Sequence, residues 1–143
     1  MKIFLSHSEA ETLQIASEIG AGLVLPAMIC LFGDLGTGKT VFAKGLAESL
    51  GIPARQIKSP TFTVQRRHKK GMKKLYHFDF YRVRESDELI RRDLEEALSD
   101  PYGLVVAEWA ENIADCLPQN RFEVRCRYIN ETSREYKIIK FPR

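Results

Sequence analysis

The densest chemistry in the sequence lies in Gly33–Thr40, which reads GDLGTGKT. Gly33, Gly38, Lys39 and Thr40 match G-x-x-x-x-G-K-[ST], the pattern of a loop that wraps phosphates. Glycines let the backbone of Gly33, Asp34, Leu35, Gly36, Thr37 and Gly38 close around an anion and turn its N–H groups toward phosphate oxygens. A helix beginning near Lys39 would add the positive end of its dipole. Lys39 is then a mobile cation for the β- and γ-phosphates, and the Thr40 hydroxyl is a hard oxygen suited to Mg²⁺. The expected ligand is a nucleoside triphosphate with Mg²⁺. No N-K-x-D guanine-reading segment is present, so ATP is expected.

Mg²⁺ takes an octahedron of oxygens, so a carboxylate from a neighbouring strand end should complement Thr40. Two acids end apolar runs, Glu108 after Leu104–Ala107 and Asp79 within LYHFDFYR. Glu108 is the expected metal-linked carboxylate; Asp79 would position the attacking water or hold a metal-bound one. Thr61, in Ser59–Phe62 (SPTF), stands where switch threonines sense a γ-phosphate. Trp109, the single tryptophan, directly follows Glu108 and would be either a core ring or a lid beside the site. His68 and His77 lack partners at ligand spacing and are assigned to no metal.

The elements that must carry these residues follow from periodicity. Lys2–Leu5 suits a short strand. Ser8 opens a capping box with Glu11, and Leu13, Ala16, Ile19 and Leu23 mark a helical face. Ala27–Phe32 is a continuous apolar run, the mark of a strand buried on both faces. Phe42, Leu46 and Leu50 mark the next helix, stopped by Gly51 and Pro53. Strands are expected at Thr61–Gln65 and Lys73–Tyr81, separated by a basic tip around Gly71. A charged helix is expected over Glu85–Ser99, and Leu104–Val106 forms a second core strand. Phe122–Tyr128 and Glu135–Phe141 read as a terminal hairpin. The predicted fold is α/β: a P-loop NTPase-like three-layer fold, with parallel core strands extended by antiparallel ones, over one domain spanning residues 1–143.

Composition narrows the class. With 143 residues, 44% apolar and 29% charged, the chain suits one globular core. Its three cysteines (Cys30, Cys116, Cys126) form no C-x-x-C pair, which disfavours a disulfide framework or zinc site and suits a reducing cytoplasm. Cys30 and Cys126 lie in apolar or alternating runs and read as core residues. No apolar run approaches the ~20 residues of a membrane span, and no signal peptide or membrane association is expected. The stretch Gln65–Lys74 (QRRHKKGMKK) is either a solvated hairpin tip or a contact for a phosphate-rich or acidic partner.

GDLGTGKT, SPTF, HFDFYR and the acid–tryptophan pair Glu108–Trp109 occur in that order. Together they resemble the TsaE (YjeE) family, small P-loop ATPases of bacterial threonylcarbamoyladenosine biosynthesis. The resemblance runs from the first helix to the terminal hairpin. It implies an ATP-hydrolysing subunit that acts with TsaD and TsaB in modifying the tRNA adenosine next to the anticodon, any tRNA contact coming through that complex. It also implies Mg²⁺ on Thr40 and Glu108, phosphates on Leu35–Thr40 with Lys39, and Asp79, Thr61 and Trp109 in hydrolysis or its coupling to partners. Glu9 and Ser133, with Arg134 adjacent, would approach the nucleotide base. Two other readings use the same loop: a small-molecule kinase with Asp79 as base, and a nucleotide-gated binding module with negligible hydrolysis.

Overall fold

Both apolar runs of the sequence become strands covered on two sides, and the rest of the architecture is arranged around them. The computed structural model describes residues 1–58 and 64–143. In chain order these form β1 (Lys2–Ser6), α1 (Glu9–Ala21), β2 (Ala27–Phe32), α2 (Lys39–Ser49), β3 (Gln65–Lys70), β4 (Lys73–Asp79), α3 (Glu88–Leu98), β5 (Gly103–Glu108), β6 (Arg121–Tyr128) and β7 (Arg134–Phe141). Short 3₁₀ turns occupy Ala54–Gln56 and Ala110–Cys116.

The strands make one seven-stranded sheet in the order β1-β7-β6-β2-β5-β4-β3. The pairs β6–β2, β2–β5 and β5–β4 are parallel. Antiparallel pairs flank them, β1–β7 and β7–β6 on one side and β4–β3 on the other. The fold is therefore α/β with a parallel core and antiparallel margins, as the hydrophobic patterning predicts. Alternation along each strand sorts the core into two clusters. Ile29, Leu31, Leu104 and Val106 pack with Phe42 and Leu46 of α2; Met28, Cys30, Val105 and Ala107 pack with Ile90 and Leu94 of α3. Helices thus cover both faces of the sheet, giving three layers. Cys30 and Cys126 are both buried.

Helix α1 starts as its sequence requires, with the Ser8 hydroxyl accepting the Glu11 N–H at 3.1 Å. The Glu11 carboxylate reaches one residue further back, to the His7 N–H at 2.9 Å. The buried stripe of α1 is Thr12, Ala16 and Gly20, whereas Leu23 falls beyond the helix end. Small residues dominate because α2 crosses very closely. A Cβ on Gly45 would lie 2.6 Å from both the Ala16 Cβ and the Leu13 carbonyl oxygen.

The basic tip falls at Gly71, as expected, where the chain turns with φ +61°. The residues ahead of it differ from expectation, because Gln65–Lys70 is strand β3, paired antiparallel with β4 from Gln65↔Phe78 to Lys70↔Lys73. The expected strand at Thr61–Gln65 falls, apart from Val64 and Gln65, outside the described residues. A strand this charged is stable here because β3 is the sheet edge, where long stems can lie over the sheet while their charged heads reach water. Arg67 does this, with its guanidinium over the Tyr76 ring and on Glu96 at 3.2 Å. The charged helix α3 begins at Glu88 rather than Glu85, because Asp87 caps it by accepting the Ile90 N–H at 2.9 Å.

Candidate nucleotide and metal site

The glycine loop leaves the carboxyl end of β2 and turns directly into α2, at the edge where the ends of β4 and β5 also emerge. Gly38 has φ +90°, a left-handed conformation that side chains resist, and a Cβ there would collide with the Tyr136 hydroxyl. The loop is braced from three directions. The Thr37 hydroxyl donates to the Asp34 carbonyl at 2.7 Å. Arg134 Nε donates to the Gly36 carbonyl at 2.8 Å. The Gly33 N–H points to Glu111 Oε2 at 3.3 Å. Leu35 stands out at the loop tip, largely exposed.

Lys39 folds back onto this loop. Its ammonium donates to the Gly33 and Asp34 carbonyls, the latter at 2.7 Å, and lies 4.0 Å from the centre of the Trp109 ring. Burial pulls the Lys39 pKa down, opposed by Cys126 and by the carboxylates of Glu111, Glu108 and Asp34. Trp109 has a share in both expected roles, packing on the core cluster around Phe80 and Ala110 while its ring lies beside the glycine loop. It is half-buried, tilts against Tyr81 at 4.9 Å, and covers the lysine. Its backbone has φ +58° and ψ +41°, a conformation rare for a bulky residue and concentrated at functional sites.

Beside the lysine stands an acidic cluster. Thr40 Oγ1 donates to Glu108 Oε1 at 2.8 Å. Glu108 is only 2% exposed, and its other oxygen, Oε2, lies 2.5 Å from His77 Nε2. Asp79 is the register partner of Glu108 across the parallel β4–β5 pair, so the two carboxylates share a face. Burial raises the Asp79 pKa and the Glu108 charge adds to the rise; the Tyr81 N–H, donating to Oδ1 at 2.9 Å, works against both. Thr40 and Glu108 fit a Mg²⁺ ion. Both supply hard oxygens, and adjacent ligands of an octahedron with bonds near 2.05 Å lie about 2.9 Å apart, close to the observed separation.

On the far side of the loop a cleft of about 440 Å³ runs between the start of α1 and the β6–β7 turn. Glu9 and Arg134 line it, together with Gly36, Gly38 and Tyr136. Ser133 is nearly buried behind this wall, with its hydroxyl 3.1 Å from His7 Nδ1. Thr61 lies outside the described residues.

Lys39, Thr40, Asp79, Glu108 and Trp109 thus gather at one edge of the sheet. Four further contributors escaped the sequence reading: His77, Glu111, Arg134 as a brace on Gly36, and Tyr136 under Gly38. His77 carried a usable signal, since it precedes Asp79 by two residues and a strand sends such residues to one face. The others act through contacts across long stretches of chain, 78 residues for Glu111 and Gly33 and 98 for Arg134 and Gly36, which no local pattern marks.

A strand–glycine loop–helix unit in a parallel core, with carboxylates on the adjoining strand ends, defines a P-loop NTPase-like fold. Known proteins narrow the class. The family described as "Threonylcarbamoyl adenosine biosynthesis protein TsaE" matches residues 6–136. A tRNA threonylcarbamoyladenosine biosynthesis protein TsaE from Bacillus subtilis is 38% identical over 125 residues, covering 87% of this chain and 77% of that one. The protein of the same name from Nostoc is 37% identical over 143 residues, covering 98% and 86%. The crystal structure of Bacillus subtilis YdiB superposes with a TM-score of 0.75 at 30% identity, covering 98% of this chain and 84% of that one. The chain belongs to the TsaE family.

Proposed function

We propose that this protein is a Mg²⁺-dependent ATPase with weak basal turnover that works in the cytoplasm with TsaD and TsaB. Its hydrolysis would support threonylcarbamoylation of the tRNA adenosine next to the anticodon. The observation that carries this reading is the 2.8 Å contact between Thr40 and Glu108 at the start of α2. It supports the reading because a hydroxyl and a carboxylate side by side at the start of the helix after a glycine loop are oxygen donors of the kind Mg²⁺ takes.

Each residue then has a physical task. Backbone N–H groups of Leu35–Thr40 bind phosphate oxygens, aided by the N-terminal dipole of α2. Lys39 exchanges the Gly33 and Asp34 carbonyls for the β- and γ-phosphates. Thr40 and Glu108 hold Mg²⁺, which when bound would screen charge that accumulates on the phosphates. Asp79, with its pKa raised by burial and by Glu108, accepts a hydrogen bond from the attacking water and orients it. Thr61 is assigned to sensing the γ-phosphate. Trp109 shields Lys39 from solvent and lies where a partner could move it. Glu9 borders the cleft that would take the base, with Ser133 supporting its wall through His7.

The test is ATP turnover by the chain alone and after addition of the TsaB–TsaD pair. Slow, Mg²⁺-dependent hydrolysis that changes on complex formation supports the reading. Hydrolysis indifferent to the pair, or robust phosphorylation of an added metabolite, overturns it.

A further inference from the structure

His77 sits in the middle of β4 with none of its side chain exposed. Its two ring nitrogens have opposite fates. Nε2 lies 2.5 Å from Glu108 Oε2, while Nδ1, also buried, has no hydrogen-bond partner among the described residues. A core position filled for packing alone would carry an apolar residue, because an unpaired buried nitrogen forfeits its hydration and gains nothing in return. The contact that repays the imidazole is therefore the one at Nε2.

That contact has a directional consequence. Glu108 presents two oxygens to two partners, Oε1 to the Thr40 hydroxyl and Oε2 to His77. A glutamate has three rotatable side-chain bonds, and Thr40 alone would leave the carboxylate free to swing about one contact. Held at both oxygens, it has a single orientation. Strand register makes the second hold possible. His77 is paired with Val106, two residues before Glu108, and Asp79 with Glu108 itself; all four side chains point to the α2 face, and the ring reaches along β5 to the carboxylate.

We infer that His77 is a positioning residue, whose Nε2–H anchors Glu108 Oε2 so that Oε1 stays aimed at Thr40 and the oxygen pair is set for Mg²⁺ before the nucleotide arrives. The inference rests on the proposed Mg²⁺–nucleotide reading of the site. Partners that orient a metal-binding carboxylate typically change metal affinity by about 10–100-fold when removed. A residue that merely fills space has no such effect once its volume is replaced.

The experiment compares His77→Phe, which keeps the volume and loses the donor, with His77→Gln, whose side-chain amide nitrogen lies near the Nε2 position. Mg²⁺ is titrated into the full-length protein saturated with ATP, followed by Trp109 emission; ATP affinity is measured separately in EDTA. His77→Phe should raise the Mg²⁺ midpoint about tenfold or more and leave affinity in EDTA within about twofold, and His77→Gln should recover most of the shift. In a Glu108→Gln background, adding His77→Phe should produce no further shift. An unchanged midpoint in His77→Phe overturns the role, as does an equal shift in both variants or a further shift in the Glu108→Gln background. If His77→Phe fails to fold by circular dichroism, His77→Asn, whose amide stops short of Glu108, replaces it with the same expected outcomes. A flat titration of the unmodified protein would instead overturn the Mg²⁺–nucleotide reading itself.

Discussion

Thr40 and Glu108 are 68 residues apart in the chain, yet the threonine hydroxyl donates to the glutamate Oε1 at 2.8 Å. The two meet because α2 starts where β2 ends, and β5 runs parallel to β2 in the register Leu31↔Glu108. A hydroxyl from the glycine loop and a carboxylate from the next strand of the sheet thus become one adjacent pair of hard oxygens.

Breaking the pair from either side should have the same signature. Thr40→Val and Glu108→Ala are each expected to lower Mg²⁺-dependent ATP turnover by roughly 10²-fold, with nucleotide binding in EDTA retained. Steady-state turnover across a Mg²⁺ series checks this. Normal Mg²⁺ dependence in Glu108→Ala would show that the metal ligand lies elsewhere.

Lys39 packs against the only tryptophan, 4.0 Å from its ring centre. Nucleotide binding should draw the ammonium off the ring and the loop carbonyls, so Trp109 emission should change on addition of ATP. Lys39→Ala should abolish both the change and binding at micromolar ATP. Unaltered emission at ATP concentrations shown by calorimetry to saturate the protein would mean that the lysine does not move.

Gly45 is a test of packing rather than chemistry. Its added methyl in Gly45→Ala meets the Leu13 carbonyl and the Ala16 Cβ at 2.6 Å, and relieving such overpacking typically costs about 1–3 kcal/mol. For a chain of this size the expected fall in Tm is roughly 3–12 °C, read by thermal denaturation. A Tm equal to that of the unmodified protein would mean the α1–α2 crossing can open at no cost.

The Tyr76 hydroxyl donates to Asp100 Oδ2 at 2.7 Å, which gives stability a predictable pH profile. This bond holds the Asp100 carboxyl below the usual range, so its contribution is complete above the ordinary carboxylate pKa and fades as pH falls through the lowered value. Burial first, then the bond to Asp100, pushes the Tyr76 phenol up to about 12; that contribution is complete below pH 10 and is lost as pH rises toward 12. Tyr76→Phe should therefore lower stability by about 1 kcal/mol near neutrality and flatten both limbs. Urea melts from pH 3 to 11 measure the difference; parallel curves for the two proteins would refute it.

Local patterns carried much of this molecule. Ala27–Phe32, with no polar residue in six, could only be a strand covered on both sides, and it forms over those residues. GDLGTGKT is legible because its chemistry is local: three glycines, a lysine and a threonine act within one turn of chain. Where sequence pattern and structure differ, a local rule meets a tertiary one. Gln65–Lys70 looks like a tip because six polar residues should not make a strand, yet an edge strand needs only one well-packed neighbour. Leu23 lies past the last residue of α1, yet it packs on the same core cluster as Ala16 and Ile19, so the apolar face outlasts the helix.

The sequence by itself determined the glycine loop, the two core strands and the residue types at their ends, since each depends on residues a few positions apart. Only the tertiary structure decided that Asp79 and Glu108 lie side by side, that His77 grips the second oxygen of Glu108, and that Trp109 covers Lys39. Those relations depend on which strands pair, in which register, and on which face each side chain emerges. They are set by burial of the whole sheet between its helices, and no single stretch of chain contains that information.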